Sequence, residues 1–175
     1  MLTLYDALES IRQFISAGGP VLYGIAGLAF FMWTLVFERV WYFRFGLRND
    51  VNAAVSAWEA RRERRSWQAR QVRRALISRT QLKINQYLSL IKVCVSLCPL
   101  LGLLGTVTGM IVVFHVMAVT GGGDAKSMAG GVSRATIPTM AGMVAAISGV
   151  FANIYVTRIA TREGRLIEDR LTMDH

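Results

Sequence analysis

Three uncharged apolar runs organise this chain, at residues 19–37, 93–120 and 135–157. Each reaches the roughly 20 residues that a helix needs to cross the hydrocarbon of a bilayer. Within the second run, His115 is the only ionisable group besides the thiols of Cys94 and Cys98. No carboxylate occurs between Glu63 and Asp124, nor between Asp124 and Glu163. The pattern predicts an all-α polytopic membrane protein with transmembrane helices at 19–37, 93–120 and 135–157.

The polar stretches read as helix too. In residues 1–18, Leu4, Leu8, Ile11 and Ile15 recur at helical spacing, with Asp6, Glu9 and Arg12 largely elsewhere on the wheel. This predicts an amphipathic periplasmic helix lying on the membrane surface. Its acidic start, with no basic n-region, is unlike a secretory signal. Gly18-Gly19-Pro20 should break it, with Pro20 entering the first turn of the next helix. The first span ends at Glu38-Arg39, and Trp41, Tyr42 and Phe43 follow as an interfacial anchor.

Residues 38–92 predict a cytoplasmic helical domain. From Asp50 to Gln86 there is no Pro or Gly, and good helix formers dominate. A hairpin should turn near Arg61–Trp67. Nothing between Ser78 and Cys98 signals a stop, so the last helix is expected to run unbroken into the second span and to extend well below the membrane. Residues 121–134 are read as a periplasmic turn, short enough to make the second and third spans antiparallel neighbours. Residues 158–175 are expected to form a cytoplasmic C-terminal helix.

Charge sets the orientation. The chain carries a net +9, which by itself would suit nucleic acid. Yet thirteen Lys and Arg fall between Glu38 and Lys92, and Arg158, Arg162, Arg165 and Arg170 follow the third span. The other side holds Arg12 and Lys126, with Arg134 at the mouth of the third span. The positive-inside rule then puts the middle segment and the C-terminus in the cytoplasm and the N-terminus outside, which is the periplasm if the membrane is a bacterial inner membrane. The basic stretch is a solvated face near anionic lipid, and no RNA-binding motif accompanies it. Cys94 and Cys98 lack further ligands at metal spacing and read as small apolar fillers. No nucleophile–base pair or nucleotide motif points to an enzyme, and no cofactor is expected.

The spans themselves carry small and hydroxyl residues. Gly105 and Gly109 make a G-x-x-x-G pair, the close-approach pattern of membrane helices. Pro99, Gly102, Thr106, Gly109 and Val113 share one stripe. Ala135, Thr139, Gly142, Ala146, Gly149 and Asn153 share another. Pro99 and Pro138 each free a backbone carbonyl one turn earlier. Two readings stay open at this point. One is plain helix packing, with threonine hydroxyls returned to their own helix. The other is a narrow polar path lined by Thr106 and Thr139, where a buried carboxyl from another chain would find partners.

The segment Pro99-Leu100-Leu101-Gly102-Leu103-Leu104-Gly105-Thr106-Val107-Thr108-Gly109 and the block from Gly131 to Ile147 (GVSRATIPTMAGMVAAI) resemble the ExbB/TolQ proton-channel family, with MotA stators as more distant relatives. Glu38-Arg39 with Trp41-Tyr42 fits as well. The resemblance implies an inner-membrane subunit that forms a homo-oligomeric ring, typically a pentamer, around an ExbD-like single-span partner. That partner's intramembrane Asp would take the proton, and a TonB-like protein would be driven to open outer-membrane transporters. Thr106 and Thr139 match the family's pore threonines, and Thr136 and Pro138 join them as candidate pore-lining residues. Gly102, Gly105, Gly109, Gly142, Ala146 and Gly149 are the candidate packing positions. Where the best-known members carry a glutamate on the proton route, this chain has Arg134, which cannot release a proton. Arg134 is therefore expected to snorkel to headgroups or to pair with a partner acid. His115 sits half a turn from Thr106 on the wheel and is expected to face away from the pore, bonded within the bundle. A TolQ-like role in outer-membrane integrity and division is the runner-up. A stand-alone channel or a scaffold is the alternative of another class.

Overall fold

The structure, a computed structural model, describes residues 2–60, 66–121 and 125–170. Its elements are all helical: α1 (Leu2–Trp41), α2 (Leu47–Glu59), α3 (Trp67–Asn85), α4 (Leu88–Thr120) and α5 (Ala125–Arg170), with a π-helical stretch Tyr42–Gly46 between α1 and α2. Among the described residues three helices are long and apolar enough to cross a membrane, so the all-α, three-span expectation holds. α4 has 33 residues and α5 has 46. At 1.5 Å per residue these run about 50 and 70 Å, past a hydrocarbon layer about 30 Å thick.

α1 is kinked at Gly19, whose φ of 67° and ψ of −166° are not helical. Pro20 disfavours helical backbone at the residue before it, and glycine takes positive φ without a Cβ penalty. The side chains of Leu4, Leu8, Ile11 and Ile15, on which the amphipathic reading of residues 1–18 rests, lie outside the described residues.

The chain divides into two compact units. The first comprises Met1–Trp33 and Val93–Val150. Its buried side chains come from all three spans: Leu22, Ile25 and Met32 of α1, Cys94, Cys98 and Val113 of α4, Ala135 and Ala146 of α5. Both cysteines are free and buried, and they pack as small apolar residues.

The second unit comprises Thr34–Lys92 and Phe151–His175. Its core gathers Leu47, Val51 and Trp58 of α2, Ala69 and Ile84 of α3, and Ala160 and Ile167 of α5. Ser66 caps α3, its hydroxyl oxygen accepting from the Ala69 amide at 3.1 Å. Gln81 Nε2 donates to Glu168 Oε1 at 2.7 Å and Arg73 Nη2 donates to the Glu168 carbonyl at 3.1 Å, tying α3 to the end of α5.

Two expectations about continuity need correction. α3 does not run into the second span. It ends at Asn85, Gln86 is extended (φ −56°, ψ 136°), and Tyr87 stands at φ 63° before α4 begins at Leu88. No residue type announces this break; its cause is tertiary and is described below. The connection expected over 121–134 is also shorter, because α5 is already helical from Ala125. The turn's residues 122–124, and 61–65 of the expected α2–α3 hairpin turn, lie outside the described residues.

Candidate functional site

α4 and α5 meet along a seam built from glycine. A Cβ on Gly109 would come within 2.6 Å of the Ala135 Cβ, and one on Gly105 would overlap the Pro138 ring. A Cβ on Gly102 would lie 3.0 Å from the Thr139 Cα. On the facing helix, a Cβ on Gly131 would overlap Val113, and one on Gly142 would lie 2.5 Å from the Cys98 carbonyl oxygen. Contacts thus pair ascending numbers on α4 with descending numbers on α5, and the two spans run antiparallel. Gly102, Gly105 and Gly109 on α4 take up Thr139, Pro138 and Ala135 of α5, and Gly142 and Gly131 of α5 give room at the two ends. α1 closes the third side: a Cβ on Gly149 would meet Met32 Sδ at 2.5 Å, and Gly105 also faces Val21. Ala146 is buried on the same stripe of α5. The G-x-x-x-G pair therefore faces this chain's own α5, and the glycines named here serve the fold of one chain before any assembly.

The hydroxyls sit along this seam in different ways. Thr139 Oγ1 donates across it to the Gly102 carbonyl oxygen at 2.9 Å. Thr106 is half-buried and returns its proton to the Leu103 carbonyl at 2.7 Å. Thr136 is exposed and bonds the Ser133 carbonyl at 2.8 Å. Pro138 is buried against Gly105. A hydroxyl that donates still keeps acceptor lone pairs, so each oxygen can receive a further proton donor. Arg134 and His115 both lie on exposed faces of their helices. For His115 this departs from the expectation of a ring bonded within the bundle: within one chain, α4 turns it away from α1 and α5.

Sequence reasoning missed a second polar cluster, in the other unit. Arg39 is 2% exposed. Its Nε and Nη2 donate to both oxygens of Glu38, at 2.7 and 3.0 Å, and its Nη1 donates to the Lys83 carbonyl at 2.8 Å. The guanidinium carbon lies 4.9 Å from the Tyr42 ring centre and 5.1 Å from that of Tyr87. This explains the break after α3. In an unbroken helix the Lys83 carbonyl would accept from the Tyr87 amide. Here Arg39 takes that carbonyl, and Tyr87 turns its ring onto the cation. A tyrosine in left-handed backbone costs about 1–2 kcal/mol, which a buried, charge-assisted contact of this kind offsets. A basic residue just past a span reads as an interfacial anchor, and no local pattern names a carbonyl 44 residues away.

Beside it, Asp50 accepts from Lys83 Nζ and from the Tyr42 hydroxyl, each at 2.7 Å. The Lys83 bond, with that of Tyr42, holds the Asp50 carboxyl below its ordinary range. Burial, and then Asp50 itself, pushes the Tyr42 phenol up, so it remains a donor. A carboxyl whose folded pKa is depressed stabilises the fold above its unfolded value, near pH 4. That contribution is lost as pH falls through the folded value. Thermal unfolding in detergent, followed from neutral pH down to about pH 3, should therefore lose stability at the acid end. Asp50→Asn should lower the neutral-pH melting point and flatten that acid limb.

The profile of the MotA/TolQ/ExbB proton channel family matches residues 43–169. The chain is similar to the biopolymer transport protein ExbB of Helicobacter pylori, 40% identical over 76 residues, which is 43% of this chain and 52% of that protein. It is 34% identical over 104 residues to ExbB-like protein 3 of Synechocystis sp., covering 56% of this chain and 49% of the other. It is 48% identical over 61 residues to ExbB-like protein 1 of the same organism, covering 33% and 24%. The matched regions span about half or less of these curated relatives. No solved structure matches the chain.

Proposed function

Because the chain belongs to the MotA/TolQ/ExbB proton channel family, we infer that it is an ExbB-type inner-membrane subunit coupling the proton motive force to TonB-dependent transport across the outer membrane. The observation that carries this reading is the lack of any Asp or Glu in the spans that form the glycine seam. A proton route through such a core needs a carboxyl from elsewhere, and an intramembrane carboxyl needs polar partners. We propose that a single-span, ExbD-like partner supplies an Asp, and that several copies of this chain, five by family resemblance, surround it. The neutral carboxyl would donate to the Thr106 or Thr139 oxygen, whose own protons are already placed on the Leu103 and Gly102 carbonyls. Thr136 and Pro138 extend the same lining. Arg134, fixed in its charge, would serve the periplasmic mouth by meeting headgroups or a partner acid. Moving each charge across the membrane supplies roughly 2.3 kcal/mol per 100 mV. The chain contributes a shaped path and no covalent chemistry of its own.

The ExbB names of the matched relatives support the transport reading over a TolQ-like one. Purification in mild detergent should bring along a small one-span protein with an intramembrane Asp. Thr106→Val and Thr139→Val keep side-chain size. Loss of the Thr139 bond costs the fold about 1 kcal/mol, so assembly should survive. Losing a polar partner for a membrane carboxyl is worth roughly 1–2 kcal/mol, so energised uptake should fall about tenfold. Unimpaired growth on iron–siderophore in both variants would count against the hydroxyl path. Brisk proton flux through the reconstituted chain alone would favour a stand-alone channel.

A further inference from the structure

Below its apolar run, α5 opens a groove of about 420 Å³ lined by Thr157, Arg158, Thr161, Arg162, Arg165 and Leu166. All six side chains are exposed. Phe151, 69% exposed, and Ile154 stand directly above it on the same helix. The steps from 151 to 154, 158, 162 and 165 are three or four residues, so these five side chains share one face. That face is hydrocarbon-like at its upper end and cationic at its lower end. Glu163 lies on the other side of the helix and is half-buried. Glu168 is turned to α3, where Gln81 and Arg73 bond it. Asp169 is exposed on the same face, one turn beyond Arg165 and at the far end from the apolar residues.

We propose that this face is a binding site for an anionic phospholipid. Its acyl chain would lie along Phe151 and Ile154, and its headgroup phosphate among Arg158, Arg162 and the Thr157 hydroxyl. Depth supports the assignment. At 1.5 Å per residue, Arg158 and Arg162 sit about 6 and 12 Å beyond Ile154, and the headgroup layer begins where the apolar run ends and is about 5–7 Å deep on each side. Guanidinium groups grip phosphate oxygens in pairs. A phospholipid accounts for both ends of the face at once, its phosphate for the cationic end and its acyl chain for the apolar end. The proposal rests on α5 spanning a membrane and not on the proton route, so the two fail separately.

The test is native mass spectrometry of the full chain in mild detergent, with phosphatidylglycerol or phosphatidylcholine added. Wild type should retain phosphatidylglycerol in preference to phosphatidylcholine. Each arginine near an anionic surface is worth roughly fivefold in affinity. Arg158→Gln alone should weaken retention about that much, and Arg158→Gln/Arg162→Gln/Arg165→Gln on the order of a hundredfold. Arg70→Gln/Arg74→Gln, which removes exposed charge from α3 instead, should leave retention as in wild type. Equal retention in the triple variant, or equal uptake of both lipids by wild type, would overturn the proposal. So would a triple variant that dissociates into monomers with its lipid content intact, which would make this face a contact between copies of the chain.

Discussion

Gly142→Ala is expected to destroy most of the folded protein that can be extracted from the membrane. A single methyl group there would lie 2.5 Å from the Cys98 carbonyl oxygen and 3.2 Å from the Gly102 Cα. Both are backbone atoms of a facing helix, so no side chain can swing aside. The helices must separate, and separation also breaks the Thr139–Gly102 hydrogen bond next to it. Overpacking of a tight interface costs about 1–3 kcal/mol and occasionally more. With a hydrogen bond worth about 1 kcal/mol also lost, this is a large share of typical stability. Gly149→Ala is the control. Its methyl meets the Met32 thioether and the Val95 side chain, and methionine adapts readily. Melting temperatures in one detergent should rank wild type above Gly149→Ala, and Gly149→Ala well above Gly142→Ala. The reverse order would show that the α4–α5 seam is not as close as described.

Arg39→Ala should be the most damaging polar substitution. It removes three hydrogen bonds, two to Glu38 and one to Lys83, from a side chain that is almost wholly buried. The Lys83 carbonyl then loses its partner, and Tyr87 keeps its strained backbone without the cation that held it. Hydrogen bonds to a charged group contribute about 1.5–3 kcal/mol, and the half-exposed Glu38 can turn to water, so a loss of about 3 kcal/mol is expected. Arg39→Lys should not restore it, because an ammonium cannot grip a carboxylate in a fork, reach a carbonyl and stack between two rings at once. Limited proteolysis should show new cleavage around Gln86–Leu88 in both variants. Wild-type resistance in Arg39→Ala would refute the clamp.

Some of this was legible along the chain. Three charge-free runs demand helices, because bilayer hydrocarbon leaves backbone groups no other partner. Glycines at three- and four-residue steps announce a close approach, since only the lack of a Cβ permits it. Periodicity also says which residues share a face. It does not say what lies opposite. Gly105 could have met a second subunit, yet it meets Pro138 and Val21. Thr139 could have bonded its own helix, as Thr106 does, yet it reaches Gly102.

By itself, the order of residues determined the helical class, the three spans and the lack of carboxyl groups within them, because these follow from local composition and the cost of exposing polar backbone to hydrocarbon. Tertiary structure alone decided the break at Gln86–Tyr87, the burial of Arg39 and the pairing of Asp50 with Tyr42 and Lys83. Each needs a partner far along the chain, Lys83 or Tyr87, and their energy depends on three-dimensional neighbours that no local pattern encodes.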